Sequence, residues 1–141
     1  MKPLPLLLCA LFIAPLIRAE VDPKKVDAAV TASKTWITLV DAGHYDQSWD
    51  TAAAIFKRVM GKDRWIGQLT QVRIPLGKAD SRELAEATYT ETLPNAAKGE
   101  YVIVKFKTTF DEFPNAVETV SMTLDKDGQW KICGYFIKPA S

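Results

Sequence analysis

The sequence predicts an α+β fold in which three N-terminal helices pack on one face of a curved, antiparallel, four-stranded sheet. Two patterns along the chain support this prediction. Up to Gly77 the apolar residues recur at the spacing of amphipathic helices, and from Ser81 they alternate with polar residues as in half-buried strands. Helices that precede a run of antiparallel strands bury their apolar sides together against one sheet face.

The segment 1–19 has the pattern of a secretory signal peptide. Lys2 supplies the positive charge, the apolar stretch that follows is too short and proline-broken to span a bilayer, and Ala19 is a small residue at the expected cleavage site. We therefore predict export to the periplasm or the cell exterior, with residues 20–141 as a single α+β domain. Lipidation of Cys9 is not expected, because the leucines before it are not small residues.

Composition excludes several classes of function. Without the signal peptide the domain is close to neutral, so it offers no electrostatic basis for binding nucleic acid. His44 is the only histidine and Cys133 the only cysteine after the signal peptide, so neither a Cys/His zinc site nor an internal disulfide is expected. No phosphate-binding or hydrolase motif occurs. We expect no metal, no cofactor and no membrane anchor in the mature protein.

Three helices are predicted before the sheet. The first begins at Pro23, is capped by Asp22 and stops at Gly43. The second covers residues 45–60 and a shorter third covers about 63–75, both with apolar residues at helical spacing. The first two helices should be antiparallel neighbours, because their connection is short.

Four strand segments follow the helices, and the register of the last hairpin can be predicted from its apolar residues. The strands are predicted at 81–93, 100–110, 116–125 and 130–137. A three-residue loop at 126–128 pairs Leu124 with Trp130 and Met122 with Ile132. A two-residue turn would shift the register by one residue and move these side chains to the wrong face.

With this register, alternate residues of the last strand face the helices. The inward residues are predicted to be Trp130, Ile132, Gly134 and Phe136. Gly134 then falls opposite Val120 in the middle of the inward face. A missing side chain there allows close helix packing or leaves a small concavity, and close packing is the favoured interpretation.

One polar cluster is predicted at the helix-to-sheet junction. Glu118 has the inward parity of Val120, and a carboxylate there needs a cationic partner or access to solvent. Arg73 and Arg82 are the candidate cations, and a structural salt bridge with one of them is the favoured interpretation. The functional alternative is a polar rim on a small ligand pocket. Such a pocket would be lined by Gly134, Trp130, Phe136 and Trp49.

The opposite sheet face is predicted to carry an apolar stripe formed by Cys133, Tyr135, Ile137 and Val117. A stripe of this kind on a small exported domain indicates a self-association surface and a homodimer. A Cys–His nucleophile would need His44 close to Cys133, whereas His44 lies at a helix junction. No catalytic residue is therefore predicted.

Four segments of the chain carry a family resemblance: "W…LVDAGHYDQSWDTAA", "RWIGQLTQVRIPLGKADSREL", "GEYVIVKFKTTF" and "VETVSMTLDKDGQWKICGYFI". Together they resemble the bacterial domain-of-unknown-function family numbered 4019, over nearly the whole mature domain. Recurrent features of that family are matched at Trp36, Asp41, Gly43, Arg73, Arg82, Glu118, Trp130, Gly134 and Tyr135. His44 departs from the pattern, since a capping Asp or Asn is expected there. The resemblance implies a cone-shaped nuclear-transport-factor-2-like or cystatin-like fold and no established activity.

Three hypotheses of function remain open from the sequence. The first is an exported, non-enzymatic module that binds a small ligand or a protein. The second is a small-molecule isomerase or hydratase that uses a cavity carboxylate, which a carboxylate without a cationic partner would favour. The third is a dimerising interaction domain, which a filled interior and an apolar outer stripe would favour.

Overall fold

The computed structural model describes residues 21–141 and confirms the α+β class. Four helices come first, α1 (Pro23–Asp41), α2 (Tyr45–Asp50), α3 (Ala54–Val59) and α4 (Lys62–Leu76). Four strands follow, β1 (Ala79–Thr90), β2 (Tyr101–Phe110), β3 (Phe113–Leu124) and β4 (Trp130–Pro139). They form an open antiparallel sheet in the order β1-β2-β3-β4. The predicted signal peptide and its cleavage site lie outside the described residues. None of the described helices is long and apolar enough to cross a membrane.

Helix α1 has the predicted start and stop. The Asp22 side chain accepts a hydrogen bond from the Lys24 amide at 3.0 Å, and Pro23 occupies the first turn. After the helix the chain turns at Gly43, whose φ of 77° is a left-handed conformation that glycine adopts without a steric penalty.

The prediction of one helix over residues 45–60 is wrong, because the chain forms α2 and α3 with a break between them. In the break, the Ala53 amide donates a hydrogen bond to the Ile132 carbonyl of β4 at 2.9 Å. The Ala54 amide donates to an oxygen of the Asp125 side chain at 3.2 Å. These bonds satisfy two amides near the start of α3 and fasten that helix to the β4 edge of the sheet.

The hydrophobic core lies between the helices and one face of the sheet. Its residues come from all layers and are each more than nine-tenths buried: Trp36, Ile37, Val40, Phe56, Trp65, Leu69, Val102, Val104, Phe106, Val120, Met122 and Ile132. The indole N–H groups of the two buried tryptophans, Trp36 and Trp65, both donate hydrogen bonds to Ser48. Trp36 Nε1 donates to the Ser48 carbonyl and Trp65 Nε1 to the Ser48 hydroxyl, each at 3.0 Å. These contacts tie α1, α2 and α4 together.

The start of the last hairpin has the predicted register. Leu124 pairs with Trp130 and Met122 with Ile132. The loop turns through Gly128, which has a φ of 80°, and the Gly128 amide donates to the Asp125 carbonyl at 2.9 Å. The three-residue loop predicted from the hydrophobic match is therefore confirmed.

Beyond Ile132 the predicted register is wrong, because β4 contains a bulge. Gly134 pairs with Ser121 while Ile132 pairs with Met122, so Cys133 is an additional residue without a partner of its own on β3. One extra residue exchanges the two faces for the rest of the strand.

The bulge corrects the positions of the residues that follow it. Gly134 lies on the outer face with Ser121, and Phe136 is also on the outer face and 47% exposed. Tyr135 turns inward beside Val120 and packs against the core. Ile137 follows it to the inward face, since it pairs with Glu118. The predicted outer stripe of Cys133, Tyr135, Ile137 and Val117 is therefore not formed.

Candidate functional site

A buried polar cluster surrounds Glu118 on the inward face of β3. Glu118 is fully buried, and its Oε1 accepts a hydrogen bond from Arg82 Nε at 2.7 Å. The Thr108 hydroxyl donates to the same oxygen, and the Tyr135 hydroxyl donates to Oε2. A buried carboxylate with one ion-pair partner and two hydroxyl donors has its hydrogen-bonding capacity largely satisfied.

Asp41, in the last turn of α1, is the second carboxylate of this cluster. Arg82 binds it with two nitrogens, Nη1 to Oδ2 at 2.7 Å and Nη2 to Oδ1 at 3.0 Å. Arg73 Nη2 donates to Asp41 Oδ1 at 2.8 Å. Two carboxylates and two guanidinium groups therefore alternate from α4 through α1 and β1 to β3, and their charges balance.

Arg73 belongs to the cluster only through Asp41. Its side chain is 5% exposed, and its guanidinium carbon lies 5.0 Å from the centroid of the Phe110 ring. Its Nε and Nη1 have no hydrogen-bond partner among the described residues. Of the two arginines predicted as partners for Glu118, the structure brings only Arg82 into direct contact with it.

Burial and hydrogen bonding within the cluster shift the pKa values of Asp41, Arg82 and Tyr135. Burial raises the pKa of Asp41, but hydrogen bonds from Arg82 and Arg73 outweigh this effect and hold the pKa below its ordinary value. Burial lowers the pKa of Arg82, yet its bonds to Asp41 and Glu118 leave it above the ordinary value. Burial and the Glu118 charge raise the pKa of Tyr135 well above its usual range. These directions keep Asp41 ionised, Arg82 charged and the Tyr135 hydroxyl protonated near neutral pH.

The residues predicted to line one inward pocket lie in separate places. Trp49, on α2, donates its indole N–H to the Met60 carbonyl at 2.7 Å. Trp130 lines a groove of about 460 Å³ between α1 and the β3–β4 hairpin. Phe136 lines a groove of about 170 Å³ between β4 and α4. Gly134 lies in a third groove, on the outer face of the sheet. The inward pocket is therefore not formed as predicted.

This third groove, called the outer groove below, has a volume of about 420 Å³. Its floor is the sheet, at Tyr101, Ser121, Cys133 and Gly134. One wall is helix α3 and the other is the segment 93–97 of the β1–β2 connection. The volume lies in the range of small-molecule sites, and most of its lining side chains are apolar.

Gly134 leaves the floor of the outer groove open. A Cβ at this position would meet only the Ser121 side chain, at 3.6 and 3.7 Å, which is ordinary van der Waals contact. No helix approaches Gly134 closely, so the close packing predicted from the sequence is wrong at this residue. The concavity that was the alternative exists, on the opposite face of the sheet.

The structure places two further candidates, Cys133 and His44, in separate sites. Burial raises the pKa of the Cys133 thiol to about 11, so it is not an activated nucleophile. His44 lies at the N-terminus of α2, makes no side-chain capping hydrogen bond and does not line the outer groove. The described residues contain no group of three or more His, Cys, Asp or Glu side chains placed to hold a metal ion.

Some members of these sites were missed from the sequence. Asp41 was a conspicuous residue but was not assigned to the cluster, although its place in the last turn of α1 puts it near the arginines. Tyr135 is predicted on the outer stripe instead of in the cluster, because the bulge that reverses its direction is not visible in the sequence. The walls of the outer groove were missed because the segment 93–97 has no regular pattern from which its position can be inferred.

Fold and site together define a small α+β domain with a closed polar cluster on one sheet face and an open apolar groove on the other. The model of a family described as proteins of unknown function, DUF4019, matches residues 32–135. The chain therefore belongs to this family. The matched region contains the whole polar cluster and the floor of the outer groove. No curated protein matches the chain.

Proposed function

We propose that the protein is an exported, non-enzymatic binding module that holds an apolar ligand in the outer groove. The observation that carries this proposal is the open floor at Gly134, between two walls that present apolar side chains. Concave, mostly apolar sites of this size are the usual form of small-molecule sites in proteins.

The polar cluster supports binding over catalysis. An isomerase or hydratase would need a carboxylate that can take a proton from a substrate. Glu118 is fully buried and bonded to Arg82, Thr108 and Tyr135. Asp41 is held by both arginines. The cluster is therefore better suited to stabilising the junction of helices and sheet.

Export and fold family complete the proposal. The pattern of residues 1–19 supports a signal peptide, and with it a bacterial periplasmic or secreted domain. Helices that cover one face of an open antiparallel sheet support a nuclear-transport-factor-2-like or cystatin-like architecture. The groove proposed here as the ligand site lies on the face that the core does not use.

Filling the outer groove tests this function. We expect the neutral apolar dye Nile red to bind the purified protein with a saturable rise in fluorescence, and Gly134→Leu to weaken that binding at least about tenfold. A Cβ at this position fits the fold, because it would meet only the Ser121 side chain at van der Waals distance, and the rest of the leucine would occupy the floor of the groove.

A second glycine provides the matched control. Gly67 is exposed on α4, outside the outer groove, and a Cβ there meets nothing within 4 Å. Gly67→Leu should leave dye binding unchanged. If Gly134→Leu binds the dye as the unmodified protein does, the outer groove is not the site.

A further inference from the structure

We infer that the ligand of the outer groove is a single-chain aliphatic carboxylate whose charged end pairs with Arg58. The inference rests on the proposed function and names the chemistry of its ligand. Three features of the groove support it, namely its charge, its few polar groups and the pairing of its floor.

The charge of the outer groove is carried by one residue. Arg58 is exposed on α3, and it is the only charged side chain among the residues that line the groove. No carboxylate of the described residues lies within ion-pair distance of it. Its neighbour Lys57 differs, because Lys57 Nζ donates to the Asp50 carbonyl and lies over the Trp49 ring. A cation without a partner at an apolar groove is complementary to an apolar anion.

The lining of the groove offers few polar partners. The walls present Ile55 and Val59 on one side and Leu93 and Pro94 on the other. The hydroxyl of Tyr101 is occupied, since it donates to the Ala97 carbonyl at 2.5 Å. Besides Arg58, the polar side chains of the lining with a free group are those of Asn95 and Ser121. A peptide lying in this groove would bury more backbone amides and carbonyls than these side chains can pair, which is costly, whereas a hydrocarbon chain carries no such groups.

The floor of the groove also argues against a bound strand. Ser121 lies on β3, which is paired with β2 on one side and β4 on the other. The β4 edge at Ile132 is occupied as well, because its carbonyl accepts the Ala53 amide. A peptide can therefore not add to the sheet at this position. An aliphatic chain needs only contact with the apolar lining.

Cys133 allows the inference to be tested at the groove itself. Its thiol lines the floor, so an occupant should slow its alkylation by N-ethylmaleimide, measured on the Cys133 peptide by mass spectrometry. The ligands are decanoate, decanol and decylamine, each below its aggregation limit. We expect decanoate to protect Cys133 at about fivefold lower concentration than decanol, and decylamine to protect least, since Arg58 attracts only the anion.

Two arginine variants distinguish the contribution of the Arg58 charge from that of the apolar lining of the groove. Arg58→Gln should raise the concentration of decanoate that protects Cys133 about fivefold, to the value found for decanol. The protecting concentration of decanol should not change. Arg64→Gln is the matched control, because Arg64 is exposed on α4 outside the groove, and it should change neither.

The outcomes distinguish this inference from the proposed function. If decanoate protects Cys133 equally well in Arg58→Gln and in the unmodified protein, the role of Arg58 is overturned. If decylamine or an apolar hexapeptide protects Cys133 better than decanoate does, the ligand class is overturned. In each of these cases the groove still binds. Absence of protection by every ligand, with Nile red binding unaffected by Gly134→Leu, overturns the proposed function as well.

Discussion

At the scale of one residue, Glu118 is a buried carboxylate whose desolvation is compensated by an ion pair and by hydrogen bonds. Its cost of burial is offset by Arg82 on β1 at 2.7 Å and by hydroxyls on β2 and β4, so that this carboxylate of β3 is bonded to the three other strands. Arg82 also forms an ion pair with Asp41 on α1. Removing one charged member leaves the remaining charges of the cluster unbalanced.

We therefore expect Glu118→Ala to destabilise the fold by about 3–5 kcal/mol, because the substitution leaves the partly buried Arg82 with only one of its two carboxylates and removes the acceptor of the Thr108 and Tyr135 hydroxyls. The free energy of unfolding in urea measures the effect. Glu83→Ala is the control, since Glu83 is an exposed neighbour on β1, and it should change stability by less than about 0.5 kcal/mol. A loss below about 1 kcal/mol for Glu118→Ala would mean that the cluster is not structural.

At the scale of an element, one bulge residue in strand β4 reverses the direction of all the side chains that follow it. The bulge at Cys133 exchanges the faces beyond it, so Tyr135 enters the core and donates to Glu118 while Phe136 faces outward. The same bulge places Cys133 and Gly134 together on the floor of the outer groove. Both the completion of the polar cluster and the opening of the groove depend on it.

Alanine substitutions at two successive positions test this bulge. Tyr135→Ala removes an inward ring and a hydroxyl that bonds to Glu118, so we expect a loss of at least about 3 kcal/mol. Phe136→Ala removes a ring that is 47% exposed and should cost about 1 kcal/mol. Thermal unfolding of the two variants compares them directly. The reverse order of stability would indicate a regular strand with the register predicted from the sequence.

At the scale of the whole molecule, the sequence predicts the layers of the fold better than its sites. The 3.6-residue and two-residue periods identify the α+β class, and the apolar match identifies the start of the last hairpin. A cationic partner for Glu118 could be predicted, because an inward carboxylate requires one, but the sequence left Arg73 and Arg82 as equal candidates.

The rest depends on contacts that local patterns do not contain. The break between α2 and α3 forms because Ala53 bonds to a distant strand, although the apolar spacing continues through it. The bulge lies within a run that is apolar on both faces, so alternation cannot reveal which residue is extra. The outer groove requires α3 and the segment 93–97 to meet over the sheet, which only the tertiary structure shows.

The central claim is that ligand binding and the polar cluster occupy opposite faces of the sheet. Native mass spectrometry of the protein purified from its own host tests it most directly, by comparing the small molecule retained by the unmodified protein, Gly134→Leu and Glu118→Gln. We predict that the unmodified protein and folded Glu118→Gln retain the same apolar molecule and that Gly134→Leu loses it. Retention by Gly134→Leu together with loss from folded Glu118→Gln would contradict the claim and place the site on the inward face.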